Sequence, residues 1–135
     1  MSKIKCFIGV VVLIMLVVSG CSVSEQTKEE AYVQITMDEA VQMMEKESNY
    51  IILDVRTEAE YNAGHIPNAI CIPNETIVED NISELPDKEQ CILVYCRSGN
   101  RSKQASDKLA RFGYTNVYEF GGIIDWQGET VSESN

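Results

Sequence analysis

The chain has 135 residues, 11 of them Lys or Arg and 21 Asp or Glu, for a formal charge of −10. That acidic balance excludes the clustered basic residues that nucleic-acid binding needs, and 8 Gly with 3 Pro exclude collagen-like or low-complexity architecture. The length suits one domain rather than two, and five cysteines are too few for a disulfide scaffold, so each needs its own account.

Lys3 and Lys5 precede an apolar run from Cys6 to Val18. The run falls short of the roughly 20 apolar residues of a transmembrane helix and suits the hydrophobic region of a signal peptide. It ends in Val18-Ser19-Gly20-Cys21, which resembles the bacterial lipobox. That resemblance implies a signal peptide over residues 1–20 and acylation, of the palmitate kind, at Cys21. It implies a protein held by its lipid on the extracytoplasmic face of a cell membrane. Acyl chains contribute about 0.8 kcal/mol per buried CH₂, so more than one chain anchors stably. The polar stretch Ser22 to Glu30 has no hydrophobic period and places a flexible tether over residues 21–31. Residues 32–127 read as the folded domain and 128–135 as a disordered tail.

Within the domain, Thr36 and Glu39 have capping-box spacing. Met37, Ala40, Val41 and Met44 follow at helical spacing and predict a helix over 37–47. Tyr50 to Leu53 is a continuous apolar run, as in a strand buried on both faces. Thr57 and Glu60 repeat the capping box and open a short helix that Gly64 can end. Ala69 to Ile72 reads as a short strand stopped by Pro73, and Cys91 to Tyr95 as a second fully apolar strand. Ser102 to Phe112 carries Ala105 and Leu109 on one side of a helix, with Gly113 placed to terminate it. Val117 to Phe120 is a last strand, which Gly121-Gly122 breaks before a turn around Trp126. Alternating helices and doubly apolar strands predict an α/β fold with a mostly parallel sheet covered on both faces. Ligands in such sheets sit at the carboxyl ends of the strands, which points to the residue after Tyr95.

That residue is Cys96, followed by Arg97-Ser98-Gly99-Asn100-Arg101-Ser102. A loop between a buried strand and a helix start offers unpaired N–H groups and the positive end of the helix dipole, a cradle for an anion. Gly99 and Asn100 both tolerate the positive φ of a tight cradle, and Arg97 and Arg101 add full charges. A thiol of ordinary pKa about 8.5 can fall to about 3.5–7.5 in such surroundings. Cys96 is therefore the expected nucleophile.

Two motifs resemble the rhodanese-like sulfurtransferases in single-domain form. One is Leu53-Asp54-Val55-Arg56, then Glu60-Tyr61, Gly64-His65-Ile66-Pro67 and Ala69-Ile70. The other is Val94-Tyr95-Cys96-Arg97-Ser98-Gly99-Asn100-Arg101-Ser102, with Gly121-Gly122 and Trp126 fitting the family's C-terminal end. The resemblance implies a five-stranded parallel sheet with helices on both sides. It implies that Cys96 takes a sulfane sulfur from a small anion such as thiosulfate and holds it as a persulfide within the loop Arg97 to Ser102. The sulfur then passes to cyanide or a thiol by covalent, ping-pong chemistry, with Arg97 and Arg101 attracting the donor. No metal or organic cofactor is needed, and a monomer is expected.

Two other classes compete. Cysteine phosphatases and arsenate reductases also place a Cys before an Arg-bearing anion loop, but that loop is one residue longer than the run Arg97 to Asn100 that separates Cys96 from Arg101. A non-catalytic binding or redox-sensing module of the same family would usually lack the cysteine. Asp54 reads as a structural partner of Arg56, and His65, the single histidine, as part of a structural motif rather than a base. The family's strand order puts Cys71 and Cys91 on strands flanking that of Leu53, roughly 9–10 Å apart. A bridge needs Cα atoms within about 7 Å, so both are expected to be buried free thiols.

Overall fold

The computed structural model describes residues 31–79 and 81–133. The expected signal peptide, Cys21 and most of the expected tether lie outside them. Among the described residues no helix is long and apolar enough to cross a membrane. The elements run β1 (Val33–Gln34), α1 (Met37–Lys46), β2 (Tyr50–Asp54), α2 (Glu58–Ala63), β3 (Ile70–Cys71), β4 (Cys91–Cys96), α3 (Asn100–Arg111) and β5 (Val117–Gly122), with short 3-10 turns at Asn74–Thr76 and Ile123–Asp125. The strands form one sheet in the order β1-β5-β4-β2-β3, every pairing parallel.

Strand side chains alternate between faces, and the core divides accordingly. Leu53, Ile92, Val94 and Cys96 pack on one face with Ala105 and Leu109 of α3. Ile52, Leu93 and Tyr95 pack on the other with Ala40 of α1 and, from the partly buried side, Tyr61 of α2. Both capping boxes form: Thr36 with Glu39 and Thr57 with Glu60. The N–H groups of Gly113 and Tyr114 bond back to Ala110 and Leu109 and close the end of α3.

Several expectations are corrected. β1 adds an edge strand that has no apolar run to announce it, since both its residues are exposed. Gly121-Gly122 does not break β5; a register shift opposite Val94 and Cys96 absorbs the irregularity and pairing resumes at Cys96 with Gly122. The residues 129–133 are docked rather than frayed. His65 and Val131 exchange backbone hydrogen bonds of 2.8 and 2.9 Å, and Glu133 N–H donates to the Asn62 carbonyl at 3.1 Å. Cys71 and Cys91 are free thiols, but half-buried rather than buried. Their strands do flank β2, yet Cys91 pairs with Tyr50 and Cys71 with Asp54, which adds a displacement of about 13 Å along the strand.

A buried polar cluster closes the carboxyl end of β2. Arg56 Nη2 donates to Asp54 Oδ2 at 2.6 Å and to the Gly64 carbonyl at 2.8 Å. Tyr95 Oη donates to Asp54 Oδ2 at 2.7 Å and accepts the Ile66 N–H at 3.1 Å. Asp54 and Arg56 are 0% and 6% exposed, so removing one strands the other's charge. Arg56→Ala is expected to destabilise the fold by about 3–5 kcal/mol, read from urea denaturation.

Candidate active site

β4 delivers Cys96 to the carboxyl edge of the sheet with β2 and β5 paired on either side of it, so the sulfur has a rigid base. The chain then turns through Arg97, Ser98 and Gly99 into α3. Gly99 takes the left-handed conformation at φ 103°, where a side chain would be strained. Asn100, expected to share that role, is instead the first residue of the helix, so α3 begins earlier than Ser102. Gly122 matters for a different reason: a Cβ there would drive into the Arg97 carbonyl and the Ser98 backbone. Its bare backbone is what lets the loop lie against β5.

The Cys96 Sγ accepts the Gly99 N–H at 3.0 Å and lies 3.4 Å from Ser102 Oγ. Burial alone would push the thiol up, but the Ser102 hydroxyl and the N–H groups of Ser102, Gly99 and Ser98 favour the thiolate and carry it below the ordinary value. The residue is 1% exposed. Ser102 Oγ also contacts the Gly99 carbonyl at 2.9 Å and Glu119 Oε1 at 2.6 Å.

The two loop arginines diverge. Arg101 is held in a two-point grip by Glu60, Nη1 to Oε2 at 2.8 Å and Nη2 to Oε1 at 3.0 Å. Its charge is therefore largely answered from within the protein. Glu60 caps α2 and fixes the loop at once, with Arg101 holding its carboxyl down at about 2. Arg97 is exposed, and no ion pair to it is found among the described residues. With Arg56, Glu60, Ile123, Ile124 and Thr130 it lines a groove of about 430 Å³. A separate groove of about 550 Å³ beside Met37, Val41 and Trp126 contains none of the loop residues.

Asp54 and Arg56 act as a buried structural pair. His65 stacks on Tyr61 with ring centroids 3.7 Å apart, its Nδ1 is 2.8 Å from the Tyr61 carbonyl, and its Nε2 faces Glu133 at 3.8 Å. None of these partners belongs to the cysteine loop. Sequence reasoning missed Glu60 as the partner of Arg101 and Glu119 as the partner of Ser102. Glu60 carried a signal, being an acidic residue already fixed in place as a helix cap. Glu119 carried none, since it occupies an ordinary polar position between Tyr118 and Phe120.

A buried cysteine whose sulfur faces main-chain amides, at the end of a parallel α/β sheet, defines a cysteine-loop α/β protein. Residues 36–129 match the rhodanese-like domain, and the chain belongs to that family. It is 38% identical over 73 residues to the thiosulfate sulfurtransferase PspE of Escherichia coli, covering 54% of this chain and 70% of that protein. It is 36% identical over 94 residues to a sulfurtransferase of Allochromatium vinosum, covering 69% and 86%. A tRNA uridine(34) hydroxylase of Hamiltonella defensa is 38% identical over 93 residues, covering 64% of this chain but 26% of that longer protein. Among solved structures, a rhodanese with anions from E. coli superposes with a TM-score of 0.57 at 35% identity, covering 62% of this chain and 98% of that one.

The lowered carboxyl of Glu60 fixes a pH window. A group depressed from 4.5 to about 2 in the folded state contributes stability above 4.5, and loses it as pH falls toward 2. The difference in urea midpoint between wild type and Glu60→Gln is expected to be constant above about pH 5, by that linkage, and to vanish between pH 4.5 and about 2.

Proposed function

We propose that this chain moves sulfane sulfur from a thiosulfate-class donor to a thiophilic acceptor through a persulfide on Cys96. The observation that carries the reading is the Cys96 sulfur itself, 1% exposed, held by the Gly99 N–H and favoured as thiolate by the loop amides. In the first step the thiolate attacks the outer sulfur of the donor. A new S–S bond forms at Cys96 while the donor S–S bond breaks, its electron pair leaving on sulfite. In the second step cyanide or a thiol attacks that outer sulfur, and Cys96 departs as thiolate. Arg97, at the mouth of the groove, meets the anionic donor. Arg101 orders the loop through Glu60 more than it draws substrate, which revises the equal roles expected of the two arginines. The thiosulfate sulfurtransferase PspE and the anion-bearing rhodanese structure support this substrate class.

A cysteine phosphatase fits less well, because its guanidinium must be free to fork onto a phosphoryl group and Arg101 is engaged by Glu60. Incubation with thiosulfate is expected to add one sulfur atom at Cys96 by mass spectrometry and to support transfer to cyanide, both absent in Cys96→Ser. Equal transfer by the two proteins would refute the enzymatic reading. Hydrolysis of an aryl phosphate without sulfur uptake would favour the phosphatase.

We further propose a lipid anchor at Cys21, supported by the charged, apolar and small-residue order of residues 3–21. Expression in a bacterium fed labelled palmitate should label the protein and place it in the membrane fraction, and Cys21→Ala should lose both.

A further inference from the structure

Glu119 takes no part in the sulfur-transfer steps above, yet its side chain meets the same Ser102 hydroxyl as Cys96. It lies on β5 opposite Val94 of β4 and Gln34 of β1 and is 3% exposed. Its neighbours Tyr118 and Phe120 pack on the α1 side of the sheet, so alternation turns Glu119 toward α3. A buried carboxylate is costly without partners, and no Lys or Arg among the described residues pairs with it. Its Oε1 instead accepts the Ser102 hydroxyl at 2.6 Å and the Gly121 N–H at 2.9 Å.

Ser102 has a single hydroxyl proton, and its oxygen lies 3.4 Å from Cys96 Sγ. When that proton points to Glu119, the same oxygen can accept the Cys96 S–H. The three groups thus form a directed chain from sulfur to carboxylate. The residues that sheet register and the loop place beside Glu119 carry no charge: Val94 of β4, Gln34 of β1, Gly99 and Gly121.

We propose that Glu119 is the internal proton acceptor that ionises Cys96, acting through Ser102. The Cys96 S–H bond breaks as its proton bonds to Ser102 Oγ, and the Ser102 O–H bond breaks as that proton bonds to Glu119 Oε1. The products are a thiolate, an intact serine hydroxyl and a carboxylic acid. The inference rests on Cys96 as the nucleophile of the reading above, and it makes Glu119 a positioning residue that never touches the donor.

The test follows two signals across pH in the full chain: ultraviolet thiolate absorbance and the infrared stretch of a protonated carboxyl. Subtracting Cys96→Ser removes the other thiols. Wild type is expected to show thiolate and carboxylic acid together. Glu119→Gln should lose the carboxyl band. Ser102→Ala, which keeps the carboxylate but cuts the chain, should also lose the coincidence of the two signals, and it serves where the glutamine variant fails to fold by circular dichroism. Thiolate without a carboxyl band in wild type, or a band unchanged in Glu119→Gln, would overturn the proposal. Loss of sulfur uptake with both signals intact would remove the sulfur-transfer reading alone.

Discussion

A sulfur anion placed out of reach of water needs donors that are already fixed in position. That single requirement explains where Cys96 lies. The sheet supplies the fixed base, because β4 is hydrogen-bonded on both edges and its side chains fill both cores. The loop and the start of α3 supply the donors, the N–H groups of Ser98, Gly99 and Ser102, which have no helical partner of their own. What joins the two is a turn so tight that Gly99 must sit at positive φ and Gly122 must present bare backbone. Desolvation and amide donation act on the same atom in opposite senses, and donation wins.

Around that ring, charge serves shape more than attraction. Although the chain carries a net −10, the carboxylates around the site are each tied to something structural. Asp54 gathers Arg56 and Tyr95 under the end of β2, Glu60 ties α2 to the loop through Arg101, and Glu119 holds Ser102 against β5. Arg97 is left facing solvent on the loop. On the proposed reading, a docking anion meets one exposed cation and a rigid set of dipoles.

Much of the architecture was legible because it is written in local patterns. The apolar runs of β2 and β4, the two capping boxes and the Cys96 loop are each contiguous in sequence, and each forms in the structure. What escaped is held by partners distant in the chain or by backbone alone. β1 exists because β5 offers it an edge, not because Val33 and Gln34 demand one. The docking of Val131 on His65 uses main-chain groups that every residue possesses. The Arg101–Glu60 grip spans 41 positions, and Glu119 follows the ordinary alternation of a strand whose buried side only the sheet order reveals. The half-exposure of Cys71 and Cys91 likewise depends on register, which composition does not encode.

The clasp at His65 has a practical corollary. Thr130, inside that docked segment, helps to line the groove in which Arg97 stands. Whatever is appended beyond residue 133, an affinity handle or a fused reporter, starts its path close to the groove that Arg97 lines. Such an extension would crowd that groove, so a handle placed ahead of β1 leaves the surface around Arg97 less disturbed.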